Sequence, residues 1–233
     1  MRSSGGAATL GDTPGRLIAL HIDWPSLRRI DVDRLCRGLP AERVARVQRF
    51  RREEDQYRGA LAGHLIRALF RAAFPAEAVP HLTEDALRRP CFAKRPAFDF
   101  NLSHSGDWVV GIAGRPRVGV DVERIEARRP LLDGVLSDRE LEVLAGCPAN
   151  RRTRLFTELW TLKEAHAKAS GRGLQIDFRS LCFARHLEGP VPGAYALYRL
   201  DEAHACATCR DPAETLPAAQ IRDAAEFARE AAA

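Results

Sequence analysis

The spacing of apolar and polar positions changes several times along the chain, and each change marks an element. Residues 16–23, RLIALHID, alternate closely enough for a first strand. Residues 31–52 are rich in arginine and leucine and read as helical, with Pro40 near the start of a second helix. The clearest amphipathic helix is 53–74, EEDQYRGALAGHLIRALFRAAF. Its apolar positions Leu61, Leu65, Leu69 and Phe70 recur near the helical period, and Pro75 stops it. A turn-rich basic stretch follows at 80–95. Short strands are expected at 98–105, 108–114 and 118–125. The plan then repeats: a short helix after Asp138, a long helix over 151–170 ended by Gly171 and Gly173, and strands near 194–200 and 203–209. The final EFAREAAA, 226–233, reads as a frayed helix.

Each half thus offers strands and one long helix, and the boundary falls near Gly114-Arg115-Pro116. The expectation is an α+β fold of two similar halves, 16–115 and 116–233, packed together with functional sites at their seam. A polar, glycine-rich leader, 1–15, precedes them. The repeat is one of architecture; similarity between the halves at the residue level is weak.

Composition narrows the class. Of 233 residues, 45% are hydrophobic and 29% charged, which suits a soluble globular chain. No apolar run approaches the roughly 18 residues needed to cross a membrane. The leader has no apolar core of a signal peptide, so a cytoplasmic location is expected. The six cysteines are then expected as reduced thiols. Cys206-Ala-Thr-Cys209 has the spacing of a redox pair or half a zinc site, and it also fits a buried strand. A net charge of +5 suits an acidic partner: nucleic acid, a phosphate-rich ligand or an acidic protein. Among 36 basic residues only Lys94, Lys163 and Lys168 are lysines. An ammonium is a compact point charge where guanidinium is a planar fork, so the two lysines on one helix draw notice.

Three segments carry candidate chemistry. In VGVDVE, 118–123, residues two apart share a face, so Asp121 and Glu123 project together while Val120 and Val122 face inward. Paired carboxylates repel unless a cation lies between them, and Mg²⁺ accepts such oxygens. The spacing also fits a strand end with two solvated acids. In FTELWTLKEAHAK, 156–168, Glu164 and Lys168 are spaced for a surface ion pair worth about 0.3–0.5 kcal/mol. Alternatively Glu164 is a third metal ligand, with Lys163 and Lys168 facing anionic oxygens. In FDFNLSHS, 98–105, Ser103 and His104 offer a hydroxyl and an imidazole to a phosphate, with the basic turn Arg88-Arg89-Pro90 ahead of them. Strand neighbours point opposite ways, so both side chains reach one ligand only if the strand bends.

Taken in order, Ser103-His104-Ser105, Gly119 to Glu123 and Trp160 to Lys168 resemble the 4′-phosphopantetheinyl transferases, in the larger class serving surfactin-type peptide synthetases. The likeness extends upstream to RVQRFRREEDQYR, 46–58. It implies two α+β halves related by a pseudo-twofold axis in a monomer. It also implies transfer of the phosphopantetheine arm of coenzyme A to a serine of an apo carrier protein, an acidic helical bundle, leaving adenosine 3′,5′-bisphosphate. By motif, Asp121, Glu123 and Glu164 match ligands of Mg²⁺, with Mn²⁺ as the alternative ion. Lys168 matches a lysine near the pyrophosphate, and Ser103 and His104 match contacts to the 3′-phosphoadenosine end. Arg43, Arg46, Arg58 and Arg89 fall where the family places basic residues around coenzyme A. Glu140 matches an acid near the reacting groups. Glu164, or a metal-held water, would accept the serine proton, and Lys168 would stabilise the leaving phosphate. Arg88 departs from the pattern, because it stands where the family commonly has glycine. The apolar stretch 131–136 is expected to be either part of the carrier-docking surface or core. The competing classes are a basic nucleic-acid binder without enzymatic activity and a family member that holds coenzyme A without transferring it; the resemblance implies neither nucleic acid nor membrane as partner.

Overall fold

Both faces of the first strand are buried. It turns Ile18 and Leu20 to one side and Leu17 and Ala19 to the other, and all four are at most 5% exposed. A strand apolar on both sides must be covered on both, and the layering of the molecule follows from that need. The computed structural model describes residues 15–115, 117–126, 134–187, 194–210 and 217–231. In chain order the elements are β1 (Arg16–His21), α1 (Trp24–Leu27), α2 (Val32–Leu35), α3 (Ala41–Gln48) and α4 (Glu53–Ala73). A short hairpin follows, β2 (Thr83–Glu84) and β3 (Pro90–Cys91), then β4 (Asp99–Ser105), β5 (Trp108–Gly114) and β6 (Gly119–Arg124). The remainder is α5 (Asp138–Gly146), α6 (Ala149–Ser170), β7 (Tyr195–Tyr198), β8 (His204–Cys209), β9 (Ala219–Asp223) and α7 (Ala224–Ala231).

The chain has an α+β fold, built as four layers. One sheet runs β4-β5-β1-β9 and the other β6-β8-β7. Helix α4, of 21 residues, covers the outer face of the first sheet through Leu61, Leu65, Leu69 and Phe70. Helix α6, of 22 residues, covers the second through Phe156, Leu159, Leu162 and Ala165. Between the sheets, Leu17, Ala19, Val110 and Ile112 meet Val118, Val120, Val122 and Cys206. Each half therefore has three antiparallel strands and one long helix, as the sequence pattern predicts.

Several expectations change in detail. The helical stretch 31–52 divides into α2 and α3, because Gly38 at φ 77° and Pro40 interrupt it. The end of the chain does not stay with the second half: β9 pairs in parallel with β1, capping a strand edge that would otherwise expose its hydrogen-bonding groups. Helix α7 is packed and not frayed, with Ala224, Ala225, Phe227 and Ala228 buried against the first core. Cys206 and Cys209 face opposite sides of β8, one toward the inter-sheet core and one toward α6, so they form neither a disulfide nor half a zinc site. Burial pushes both thiols up, Cys209 to about 11.

Helix α6 lies unusually close to β6, and Gly119 permits it. A Cβ on Gly119 would stand 2.0 Å from the carbonyl oxygen of Ala165 and 2.6 Å from the amide nitrogen of Ala169. Both atoms belong to helix backbone and cannot swing aside. Gly119→Ala is therefore expected to destabilise the protein by about 3 kcal/mol or more, at or above the top of the usual overpacking range. Chemical denaturation checks this, with Gly146→Ala as control, since nothing lies within 4 Å of a Cβ at Gly146.

Candidate active site at the seam between the sheets

Strands β4 and β6 are edge strands of different sheets. Side chains of β4 join them. Asp99 Oδ2 accepts from the Val118 N–H at 2.9 Å, Asn101 Oδ1 from the Val120 N–H at 3.0 Å, and Ser105 Oγ from the Arg124 N–H at 3.0 Å. Ser103 Oγ donates to Asp121 Oδ1 at 2.9 Å. Residues 99, 101, 103 and 105 all lie on one side because strand side chains alternate. The sequence DFNLSHS is thus a polar edge written at period two.

On the helix side of this seam the acids gather. Lys168 Nζ lies 2.7 Å from Asp121 Oδ1 and 3.0 Å from Ser103 Oγ. Glu123 accepts from Ser105 Oγ at 3.3 Å and from Trp160 Nε1 at 3.4 Å. Trp160, Glu164 and Lys168 follow at intervals of four on α6, hence on one stripe. Burial, and then the charge of Asp121, push the Glu164 carboxyl above its ordinary value; Lys168 opposes the shift and Glu123 adds to it. Lys168 therefore turns to Asp121, and the Glu164–Lys168 surface pair expected from spacing alone is not the main contact of that ammonium.

Basic groups adjoin the acids on the β4 side. Arg58 donates twice to the Gly106 carbonyl, at 3.1 and 2.8 Å, pairs with Asp55 at 2.9 Å, and lies over the Trp24 ring at 5.0 Å. His104 is exposed, opposite in direction to buried Ser103. Desolvation by the surrounding protein, then the Arg58 charge, hold its imidazole below the ordinary value; Lys168 acts the same way and Asp55 against it. Arg43 and Arg46 sit one turn apart on α3. Burial and the like charge of Arg46 lower the Arg43 guanidinium from its usual value.

Two sequence expectations need correction. Arg89 is 9% exposed, and its guanidinium is turned inward. It pairs with Asp99 at 2.8 Å and donates to the carbonyls of Phe100 at 3.0 Å, Val118 at 2.5 Å and Lys168. It ties the β2–β3 turn, β4, β6 and the end of α6 together, so it is a structural knot and not an open coenzyme contact. Its neighbour Arg88 holds φ 60°, a left-handed conformation costing roughly 1 kcal/mol outside glycine. Asp85 supports that turn by accepting from the N–H groups of Leu87 and Arg89.

Glu140 is likewise internal, with 0% exposure. It closes a capping box with Ser137 at the start of α5, accepts from the Phe183 N–H at 2.8 Å, and pairs with Lys163 Nζ at 2.8 Å. Lys163, also 0% exposed, donates further to the carbonyls of Phe178, at 2.7 Å, and Leu181. Neither side chain is exposed to solvent. The signal was present in the sequence: Ser-Asp-Arg-Glu is the S-x-x-E of a capping box. In the proposed carrier-docking stretch, 131–133 lie outside the described residues, and Leu136 is buried in the core beneath α6.

Asp121 tests whether the acids suit a divalent cation. One of its oxygens takes two donors; the other is buried and has no partner. Such an orphan costs about 1–3 kcal/mol, which a hard cation would relieve. Among the described residues, no three acidic, histidine or cysteine side chains are grouped closely enough to hold a metal ion. The carboxylates are gathered electrostatically, not as a closed cage, but their chemistry and the orphan oxygen fit a hard cation.

Residues 117–220 match the family model of the 4′-phosphopantetheinyl transferase superfamily, and residues 24–117 that of the 4′-phosphopantetheinyl transferase N-terminal region. The 4′-phosphopantetheinyl transferase psf-1 of Bacillus pumilus is 33% identical over 202 residues, 79% of this chain and 84% of the relative. The chain belongs to the 4′-phosphopantetheinyl transferases. A second relative, the transferase ffp of Bacillus subtilis, is 27% identical over 208 residues, covering 83% of this chain and 91% of its own. A phosphopantetheinyl transferase of Thraustochytrium is 34% identical over 213 residues, 82% and 69% of the two chains. These relatives mark the surfactin-synthetase type and make the protein an enzyme, a transferase, which displaces the nonenzymatic nucleic-acid reading.

The buried Lys163–Glu140 pair yields a stability test. Removing one partner strands the other charge, so Lys163→Met and Glu140→Gln should each cost about 3–5 kcal/mol. The double variant should recover a large part of that loss in denaturant titrations, since both ions are then gone. Additive losses would show that the two side chains do not act as a pair.

Proposed function

We propose that this transferase moves the 4′-phosphopantetheine arm of coenzyme A onto a serine hydroxyl of an apo acyl or peptidyl carrier protein, with Mg²⁺ or Mn²⁺ as cofactor. The observation that carries the reading is the buried, partnerless oxygen of Asp121 beside Glu123 and Glu164, bordered by Lys168, Arg58 and His104. Acids that need a cation next to cations that need anions suit a metal-bound, multiply phosphorylated substrate.

Asp121, Glu123 and Glu164 would hold the ion. When bound, it supplies charge neutralisation on the pyrophosphate oxygens. The serine Oγ attacks the phosphorus that bears the pantetheine arm. A new P–O bond forms there, and the bond from that phosphorus to the bridging oxygen breaks, releasing adenosine 3′,5′-bisphosphate. Glu164, beside Asp121 in the same cluster, would accept the serine proton. Lys168 carries its ammonium at Asp121 and Ser103, within the same cluster, and would meet charge growing on the leaving phosphate. Ser103, His104 and Arg58 would receive the 3′-phosphoadenosine end, with Arg43 and Arg46 adding positive charge from α3.

The carrier partner is an acidic helical bundle, whose encounter the +5 net charge would speed. One chain supplies both sides of the seam, which supports a monomer as the working unit. No described helix is long and apolar enough to cross a membrane. Action in the cytoplasm, on a soluble carrier, belongs to this proposal.

Incubation with coenzyme A, Mg²⁺ and an apo carrier should add the mass of one phosphopantetheine arm to the carrier. Glu164→Ala should abolish the gain while leaving the thermal unfolding midpoint near that of the parent; near-normal transfer would remove Glu164 from the mechanism. His104→Ala should raise KM about tenfold for coenzyme A, the scale of one charge-assisted hydrogen bond, and much less for dephospho-coenzyme A. Equal effects on both would take the 3′-phosphate away from His104.

A further inference from the structure

His204 lies in the second sheet and is only 3% exposed. Its Nδ1 stands 3.0 and 3.1 Å from the two carboxylate oxygens of Asp201. That carboxylate also accepts from Trp108 Nε1 at 2.8 Å, and from the N–H groups of Ala203 and His204 at 2.7 and 2.8 Å. With Nδ1–H directed at Asp201, Nε2 is left as an acceptor, and it is buried without a partner. An orphaned buried nitrogen costs about 1–3 kcal/mol. An apolar side chain would fill the same space without that cost. What the imidazole adds is a ring angle fixed by Asp201.

The ring edge so fixed presses on Gly106. A Cβ at Gly106 would lie 2.4 Å from His204 Nε2, and the glycine holds φ 54°. Gly106 belongs to the β4–β5 turn, directly after His104 and Ser105. Its carbonyl is the acceptor for both donors of Arg58. From the other side, Trp24 Nε1 donates to Asp107 Oδ1 at 2.7 Å and the Ile22 N–H to the Asp107 carbonyl at 2.7 Å. The turn is therefore gripped between the two halves: by Ile22, Trp24 and Arg58 from one, and by His204 from the other.

We propose that His204 and Asp201 are positioning residues for the coenzyme end of the site: from the second half they brace the Ser105–Asp107 turn, and through it the placement of His104 and Arg58. This rests on the function proposed above. Neither residue touches the ligand; they act through Gly106. The brace also makes coenzyme affinity depend on how the halves are docked, because the turn belongs to one sheet and the ring to the other.

The test measures the dissociation constants of coenzyme A and dephospho-coenzyme A by calorimetry, without carrier. His204→Asn keeps a donor near the Nδ1 position, and so the bond to Asp201, while removing the ring edge from Gly106. Asp201→Asn keeps the ring and an acceptor for Trp108 while weakening the hold on the ring, and it carries the test if the first variant fails to fold. Each variant should bind coenzyme A roughly five- to tenfold more weakly, with a smaller change for dephospho-coenzyme A. KM for the carrier should be unchanged. Wild-type affinity in both variants, or equal losses for the two ligands with a lowered unfolding midpoint, would overturn the proposal and leave the pair a general strut between halves. A wild-type protein with no affinity for coenzyme A would instead defeat the parent reading of the site.

Discussion

Two sheet edges must be closed against each other without a continuous backbone ladder, and the candidate site lies where that is done. An open edge exposes a row of N–H and C=O groups. Here β4 answers the N–H groups of β6 with Asp99, Asn101 and Ser105. The hydrogen bonds are of ordinary length, but every one uses a side chain. Asp121 and Glu123 are therefore held at a fixed distance from β4, and they point toward α6. Gly119 then lets α6 approach closely enough for Trp160, Glu164 and Lys168 to complete the cluster.

Lys168 pairs with Asp121 at 2.7 Å, and Glu164 feels the charges of both. One oxygen of Asp121 is buried without a partner, and burial, then the charge of Asp121, raises the Glu164 carboxyl above its ordinary value. Two other buried ion pairs are more fully engaged. Glu140 and Lys163 satisfy one another and five further polar groups, and Arg89 pairs with Asp99 and donates to the carbonyls of Phe100, Val118 and Lys168. What distinguishes the Glu140–Lys163 pair from the candidate site is that its carboxylate oxygens both have donors, whereas one oxygen of Asp121 has none.

The two neighbouring lysines illustrate this. They lie five residues apart on one helix, so they point to different sides of it. Lys163 faces the segment 178–183 and α5, where an ammonium can donate in three directions inside a closed space. Lys168 faces the seam. Arginine in the Lys163 position would bring a larger planar head into a fully buried pocket. The two lysines are therefore held by different surroundings, one in the closed interior and one at the candidate site.

Much of this was legible in the chain alone. Period-two and period-3.6 patterns predicted the strands and both long helices, and the D-x-E strand and the W-x-x-K-E-A helix announced the acids, because side-chain direction follows directly from local backbone geometry. What sequence spacing could not decide was which polar groups answer one another across long separations. Arg89 and Glu140 read as site residues because charge near a motif looks alike whether it faces a ligand or the core. The return of β9 to β1, the side-chain seam of β4 and β6, and the His204 brace on Gly106 join residues 18 to 202 positions apart. Those contacts depend on how layers stack, and only the tertiary structure, which brings distant edges within hydrogen-bonding range, determines them.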